Sequence, residues 1–307
     1  MTNVPIVFFI FKRLETTVQI LDVIHKIKPS KLYVIADGPR FVNEDAKCQS
    51  VRVFVENKID WNCDLVKVYS DINLGCAKRI QSGLDYVFEN EEMAIILEDD
   101  TLPDPSFFNF CEELLIRYKD DPRVAHISGC NLYTSAVNFN ESYCFSSIVN
   151  IWGWATWKRA WVNYELEMPS WNLVDKSKFL ANWCTTKSHA RGVRKMFDLH
   201  CNNKDPWTWD AQWVYNCWRS NGLSIIPSRN LVSNIGIGPD ATNTVVSKKI
   251  EKYPKITEKI GFPLIHSKVE RDLEFDISYI NKCKGSNFRY LIILIKNFFN
   301  FLKFKND

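Results

Sequence analysis

Three consecutive acids, Glu98-Asp99-Asp100, follow directly on the apolar run Met93–Leu97. A buried strand ending in carboxylates suits a divalent cation bound with a diphosphate. Mg²⁺ and Mn²⁺ prefer oxygen ligands and take one or two carboxylates together with phosphate oxygens. The cation then neutralises charge building on a departing phosphate. A solvated acidic turn would use the same residues, so their surroundings must decide. Two aromatic segments, Trp152-Gly153-Trp154-Ala155-Thr156-Trp157 and Trp207-Thr208-Trp209-Asp210-Ala211-Gln212-Trp213, hold six of the 11 tryptophans. Flat aromatic faces stack on sugar rings or fill a core; Trp154 and Trp209 are the candidate acceptor or sugar platforms, with core or loop packing the more frequent role for them and for Trp213. Asp210 lies between tryptophans that could wall off water. That makes it a candidate general base for proton removal from a hydroxyl, with Asp205 as the nearby rival. The plain alternative is an acid in a helix's first turn, favoured by the macrodipole.

The elements that must position these groups alternate in type through the first half. Ile6–Phe11, Leu32–Ala36, Leu65–Tyr69 and Met93–Leu97 read as short apolar strands. Helical spacing is predicted for Leu14–Ile27 (Leu14, Val18, Leu21, Ile24), near Glu44–Val55, over Gly75–Phe88, and from Asp104-Pro105 to about Tyr118. Such repeats argue for a mostly parallel sheet with helices on both faces. Ligands there bind beyond the carboxyl ends of the strands, near a topological switch point. Asp37 and the acid cluster both sit at strand ends. The second half is less regular. Strands are expected at Val124–Ser128, Tyr143–Asn150 and Leu223–Pro227, and helices at Lys176–Trp183, Ala190–Leu199 and Thr208–Trp218. The stretch from Trp152 to Trp171 has no clear period.

At 307 residues the chain can bury a full core. A net charge of +3 is too small to argue for nucleic acid, and no RNA- or DNA-binding motif is present. The ten cysteines are scattered without a CxxC pair, which disfavours zinc. No signal-peptide pattern precedes the first strand, so a reducing, cytoplasmic setting is expected.

The stretch Asn73-Leu74-Gly75-Cys76-Ala77-Lys78-Arg79, the strand Ala94–Leu97 with Glu98-Asp99-Asp100, and Pro103-Asp104-Pro105-Ser106-Phe107-Phe108 together resemble the core of GT-A glycosyltransferases. The likeness is to N-acetylglucosaminyltransferase I and to bacterial sugar transferases of the family 2 type. The resemblance spans roughly residues 4–245 and is most specific over 73–108. It implies a GT-A α/β fold, with a nucleotide-sugar-binding half over 1–130 and an aromatic-rich acceptor half over 131–280. It also implies that Asp100 ligates Mn²⁺ or Mg²⁺, and that Glu98 and Asp99 face the ribose and donor sugar. Asp37 would accept from the base, Arg13 would flank the nucleotide, and Lys78 or Arg79 would lie near the pyrophosphate. Asp210 takes the first acidic position of a Trp-Asp-Asp-Trp motif that carries the family's base, with Ala211 in the second. The expected activity is metal-dependent inverting transfer from a nucleotide sugar, UDP-N-acetylhexosamine favoured, to a glycan or lipid-linked hydroxyl. Asn243 stands where bacterial relatives often carry His, a role His266 could take over.

Residues 281–307 form a basic tail with Lys282, Lys284, Arg289, Lys296, Lys303 and Lys305 against one acid. Its longest apolar run, Tyr290–Ile295, is far short of the roughly 20 residues of a span. A basic amphipathic helix over 285–307, lying on the anionic inner face of the cell membrane, fits the pattern. So does a helix packed on the catalytic domain. Two other functions share parts of this pattern. A sugar nucleotidyltransferase would carry a glycine-rich phosphate loop after the first strand, where this chain has Phe9-Ile10-Phe11-Lys12-Arg13. A non-enzymatic carbohydrate-binding protein would leave the strand-end acids unexplained.

Overall fold

The computed structural model describes residues 2–132, 140–236 and 256–285. Asn243 and the tail beyond Gly285 lie outside the described residues. The first half forms β1 (Ile6–Ile10), α1 (Leu14–Ile27), β2 (Lys31–Ala36), α2 (Asp45–Lys58), β3 (Asp64–Tyr69), α3 (Cys76–Asn90) and β4 (Met93–Glu98). A short β5 (Thr101–Pro103), α4 (Ser106–Arg117) and β6 (Val124–Ser128) follow. The second half adds β7 (Tyr143–Ser146), β8 (Trp154–Trp157), one turn of helix α5 (Lys158–Trp161), α6 (Lys176–Trp183), α7 (Lys187–His200), α8 (Asp210–Arg219), β9 (Leu223–Pro227), β10 (Val232–Asn234) and α9 (Leu273–Gly285).

Eight strands make one sheet in the order β3-β2-β1-β4-β8-β6-β9-β7, and β5 pairs with β10 apart from it. The first four are mutually parallel, β8 is antiparallel to β4 and β6, and β7 is antiparallel to β9. Every residue of β1, Ile-Val-Phe-Phe-Ile, is buried, as a parallel strand covered on both faces requires. Its side chains alternate: Ile6, Phe8 and Ile10 meet α1, α2 and α4 on one face, and Val7 and Phe9 join α3, α7 and α8 on the other. The result is a three-layer α/β/α arrangement with a mixed, mostly parallel sheet. Chain order reverses between β1 and β4, which is the switch point.

The untyped aromatic stretch contains β8, a central strand of the sheet. Trp154 packs between the rings of His126, Trp209 and Trp213, each 5.3 Å away. Trp213 Nε1 donates to Nδ1 of His126 at 3.0 Å, and Nε2 of His126 donates to the Asn150 carbonyl at 2.9 Å. Burial pushes His126 down to about 3, which keeps it neutral and fits the Nε2–H tautomer those two bonds need. Below about pH 6.5 the unfolded chain takes up a proton that the folded protein refuses. Stability is therefore lost as pH falls from there towards 3.

α9 runs through the 280/281 boundary expected from sequence. It seats Phe275 and Tyr279 in a small core with Cys144 and Ile226. Buried Asp276 fastens it by accepting from both Ser146 and Ser147 hydroxyls and from Arg271. Among the described residues no helix is long and apolar enough to cross a membrane.

The Trp213–His126 bond ties α8 to the sheet, so it can be tested by stability. Trp213→Phe keeps a ring and removes the N–H, leaving Nδ1 of His126 unpaired. We expect a loss of about 1–3 kcal/mol in urea unfolding. A change under about 0.5 kcal/mol, the size of a surface substitution, would show that the bond does not hold the helix.

Candidate functional site

The carboxyl ends of β1 and β4 meet at the switch point. After β1 the chain turns through Phe11 into Arg13, and Nη2 of Arg13 pairs with both Asp99 and Asp100, the latter at 2.9 Å. The backbone N–H of Phe11 also donates to Asp99. Burial lowers the proton affinity of the Arg13 guanidinium, but the two aspartates outweigh it and the net shift is upward. Burial raises Asp99 to about 6, with Arg13 pulling against it. Glu98 is raised well above the carboxylate range, first by burial and then by Asp100 and Asp99, with Arg13 opposing and Asp210 adding to the rise. Among the described residues its carboxyl has no hydrogen-bond partner.

Asp210 enters from the opposite half of the chain, at the first residue of α8. Its Oδ1 accepts from the Thr208 hydroxyl at 2.6 Å and from Ala211 N–H at 2.8 Å, and no hydrogen bond reaches its Oδ2 among the described residues. Tyr164 steadies the approach: its hydroxyl donates to the Trp209 carbonyl at 3.0 Å. Cys76, the first residue of α3, reports where these groups converge. Burial raises its thiol far above the usual range, and Glu98, Asp210, Asp100 and Asp37 add to the shift. The Cys76 thiol thus lies in the field of carboxylates from the ends of β2 and β4 and the start of α8.

β10 closes the site from the side. Ile235 N–H donates to the Asp100 carbonyl at 2.8 Å. A Cβ at Gly236 would stand 2.5 Å from the Asp100 side chain and 2.6 Å from Nη1 of Arg13, so only glycine fits that approach.

The other candidate residues lie as follows. Asp37 does not offer a free oxygen to a base. Its Oδ1 takes Gly38 and Leu74 N–H, and its Oδ2 takes Gly75 N–H and the Asn73 amide, at 2.9–3.1 Å. Four donors fill the roughly four lone-pair sites of a carboxylate. Asp37 instead folds the 73–75 turn that launches α3, where Gly75 holds a φ of +80°. Arg79 is buried and spends its guanidinium on the Val68 carbonyl and Ser82, so it is not placed to meet a pyrophosphate. Lys78 is exposed in the first turn of α3. Trp154 and Trp209 are 0% and 2% exposed and stack on each other, so neither presents a face to a sugar. The partly exposed tryptophans of those segments are Trp152 and Trp207. His266 hydrogen-bonds Tyr143 at 3.0 Å and is not among the groups that shift Glu98 or Cys76. Sequence reasoning passed over Cys76, Tyr164 and His200. Only Cys76 carried a signal, as the residue following Asn-Leu-Gly.

The donor set bears on the metal. Among the described residues no three His, Cys, Asp or Glu side chains are arranged to hold an ion by themselves. One oxygen of Asp100 and the Glu98 carboxyl remain open, which fits an ion completed by ligand phosphates rather than a protein cage.

No protein-family model matches the chain, and no curated protein is similar to it in sequence. Among solved structures it is similar to a mannosyltransferase from Pyrobaculum calidifontis in complex with GDP-Man and Mn²⁺, at 13% identity, 70% of this chain, 69% of that one and a TM-score of 0.40. It is also similar to UDP-glucose pyrophosphorylase complexed with UDP-glucose (11%, 54% and 81%, 0.33) and to CMP:2-keto-3-deoxy-manno-octonic acid synthetase complexed with CTP (13%, 59% and 86%, 0.33). Similarity this distant assigns no activity.

The filled carboxylate of Asp37 makes a ligand-free test possible. Asp37→Ala should cost at least about 2 kcal/mol in urea unfolding of the protein alone, because it strands four donors, one buried and three half-buried. A residue that waits for a base would instead leave that stability within about 0.5 kcal/mol.

Proposed function

We propose that the protein is an inverting glycosyltransferase that moves a sugar from a nucleoside-diphosphate donor, UDP-N-acetylhexosamine favoured, to a hydroxyl of a glycan or lipid-linked acceptor. The observation that supports this reading is the Glu98-Asp99-Asp100 cluster at the switch point, held by Arg13, together with Asp210 at the first turn of α8 with one open oxygen and close enough to add to the rise of Glu98. Direct displacement needs a carboxylate that takes the acceptor proton while the diphosphate leaves. Asp210 would take the hydroxyl proton as the oxygen bonds to the anomeric carbon. The bond from that carbon to the diphosphate oxygen breaks, and its electron pair goes to the nucleoside diphosphate. Asp100, with Glu98 beside it, would hold Mn²⁺ or Mg²⁺, which supplies Lewis-acid stabilisation of that leaving group. Arg13 would keep the acids in place, and the buried, stacked tryptophans behind Asp210 would hold its helix turn.

Nucleotidyl transfer is the less favoured reading. It needs free backbone donors after β1 for a triphosphate, and Phe11 N–H is already given to Asp99.

Two substitutions test the assignment. Asp100→Ala should abolish the Mn²⁺ dependence of nucleotide-sugar binding in calorimetry; unchanged dependence removes it as the ligand. Asp210→Asn should bind donor normally and slow transfer by roughly 10²–10⁴-fold. Activity within a few-fold of wild type, while exposed Asp205→Asn proves damaging, would reassign the base.

A further inference from the structure

Two histidines are fully buried, and their treatment differs. His126 has both ring nitrogens satisfied. His200, the last residue of α7, is equally inaccessible, yet neither Nδ1 nor Nε2 has a hydrogen-bond partner among the described residues. Leaving such groups unpaired is costly, and a buried orphan in a native protein calls for an explanation. Its location supplies one. The His200 ring packs on Trp207 at 4.6 Å, and Trp207 opens the Trp-Thr-Trp-Asp segment whose Thr208 hydroxyl already grips Asp210. Burial lowers the proton affinity of the imidazole, and Asp210 is the charge that opposes this. The ring is therefore neutral at physiological pH, with one N–H to give.

We propose that His200 is the positioning residue for Asp210: when acceptor is bound, an imidazole N–H donates to Oδ2 and fixes the carboxylate for proton removal. The inference rests on the reading of Asp210 as the base. The lone-pair count permits it. Oδ1 is filled by Thr208 and Ala211, and Oδ2 has one site for His200 and one for the acceptor hydroxyl. Hydrogen bonds of this kind are commonly open in the free enzyme and tighten in the substrate complex. The arrangement trades stability for function, since an apolar ring at position 200 would satisfy the core better.

The test compares His200→Phe, His200→Gln, Asp210→Asn and the Phe/Asn double variant of the full chain. The probe is whichever UDP- or GDP-sugar gives the largest thermal shift with Mn²⁺. The readout is release of nucleoside diphosphate with water as acceptor, alongside Tm and donor KM. His200→Phe should keep or raise Tm, leave donor KM unchanged and lower kcat on the order of 10²-fold, the cost of a misplaced catalytic group. His200→Gln, which retains an N–H, should recover part of the rate. In the Asp210→Asn background the Phe substitution should add nothing. A His200→Phe rate within a few-fold of wild type overturns the proposal. A fall in Tm for both His200 variants with matching loss of donor binding also overturns it, by assigning His200 to packing. If Asp210→Asn is inert while His200→Phe is not, only the positioning role fails. If Asp210→Asn keeps full rate, the base itself is wrong and the positioning role falls with it.

Discussion

One ion-pair cluster sets the conditions for everything around it: Arg13, at the end of β1, held between Asp99 and Asp100 at the end of β4. Adjacent carboxylates at a buried strand end repel one another, and taking them out of water costs several kcal/mol per ion unless a partner is fixed nearby. Arg13 is that partner, and the parallel pairing of β1 with β4 delivers it to the right height. The compensation is incomplete. Arg13 answers Asp99 and Asp100, while Glu98 stays strongly raised in the field of its neighbours. A site with this residual negative charge is prepared for a cation that arrives with its own phosphate oxygens. The close approach of Gly236 then closes the cluster from the side without a side chain to displace it.

The opposite wall is built by different means. Asp210 is placed by an aromatic core rather than by charge: Trp213 is tied to His126, Trp154 stacks on Trp209, and Tyr164 lies on Trp161 with ring centroids 4.3 Å apart. The tryptophans therefore work one layer behind the site. They fix the first turn of α8, where Asp210 keeps one carboxylate oxygen free of hydrogen bonds among the described residues.

The parallel half of the fold was legible because strands covered on both faces read as unbroken apolar runs. β1, β2 and β4 needed no alternation to be found, and α1 was bounded by its own spacing and by Pro29. β8 was hidden for the opposite reason. Trp-Ala-Thr-Trp has no period, and Thr156 is tolerated inside only because its hydroxyl donates to the Ala125 carbonyl. β5 and β10 are three residues each and exist through a pairing between positions 101–103 and 232–234 that no local pattern reveals. The acids and Asp210 were legible as residue types at element ends. The commitment of Asp37 was not, because its partners Asn73, Leu74 and Gly75 come from the next strand's loop. His200 left no mark either, since a single histidine shows its lack of partners only once the chain is folded.

In the proposed transfer the bond breaks at the anomeric carbon and not at phosphorus. Turnover of the bound nucleotide sugar in ¹⁸O-labelled water, with Mn²⁺ and mass analysis of both products, tests this directly. Attack at the anomeric carbon is expected to put the label in the free sugar and release an unlabelled nucleoside diphosphate. Label in a phosphate group would place the chemistry at phosphorus and contradict the transferase assignment.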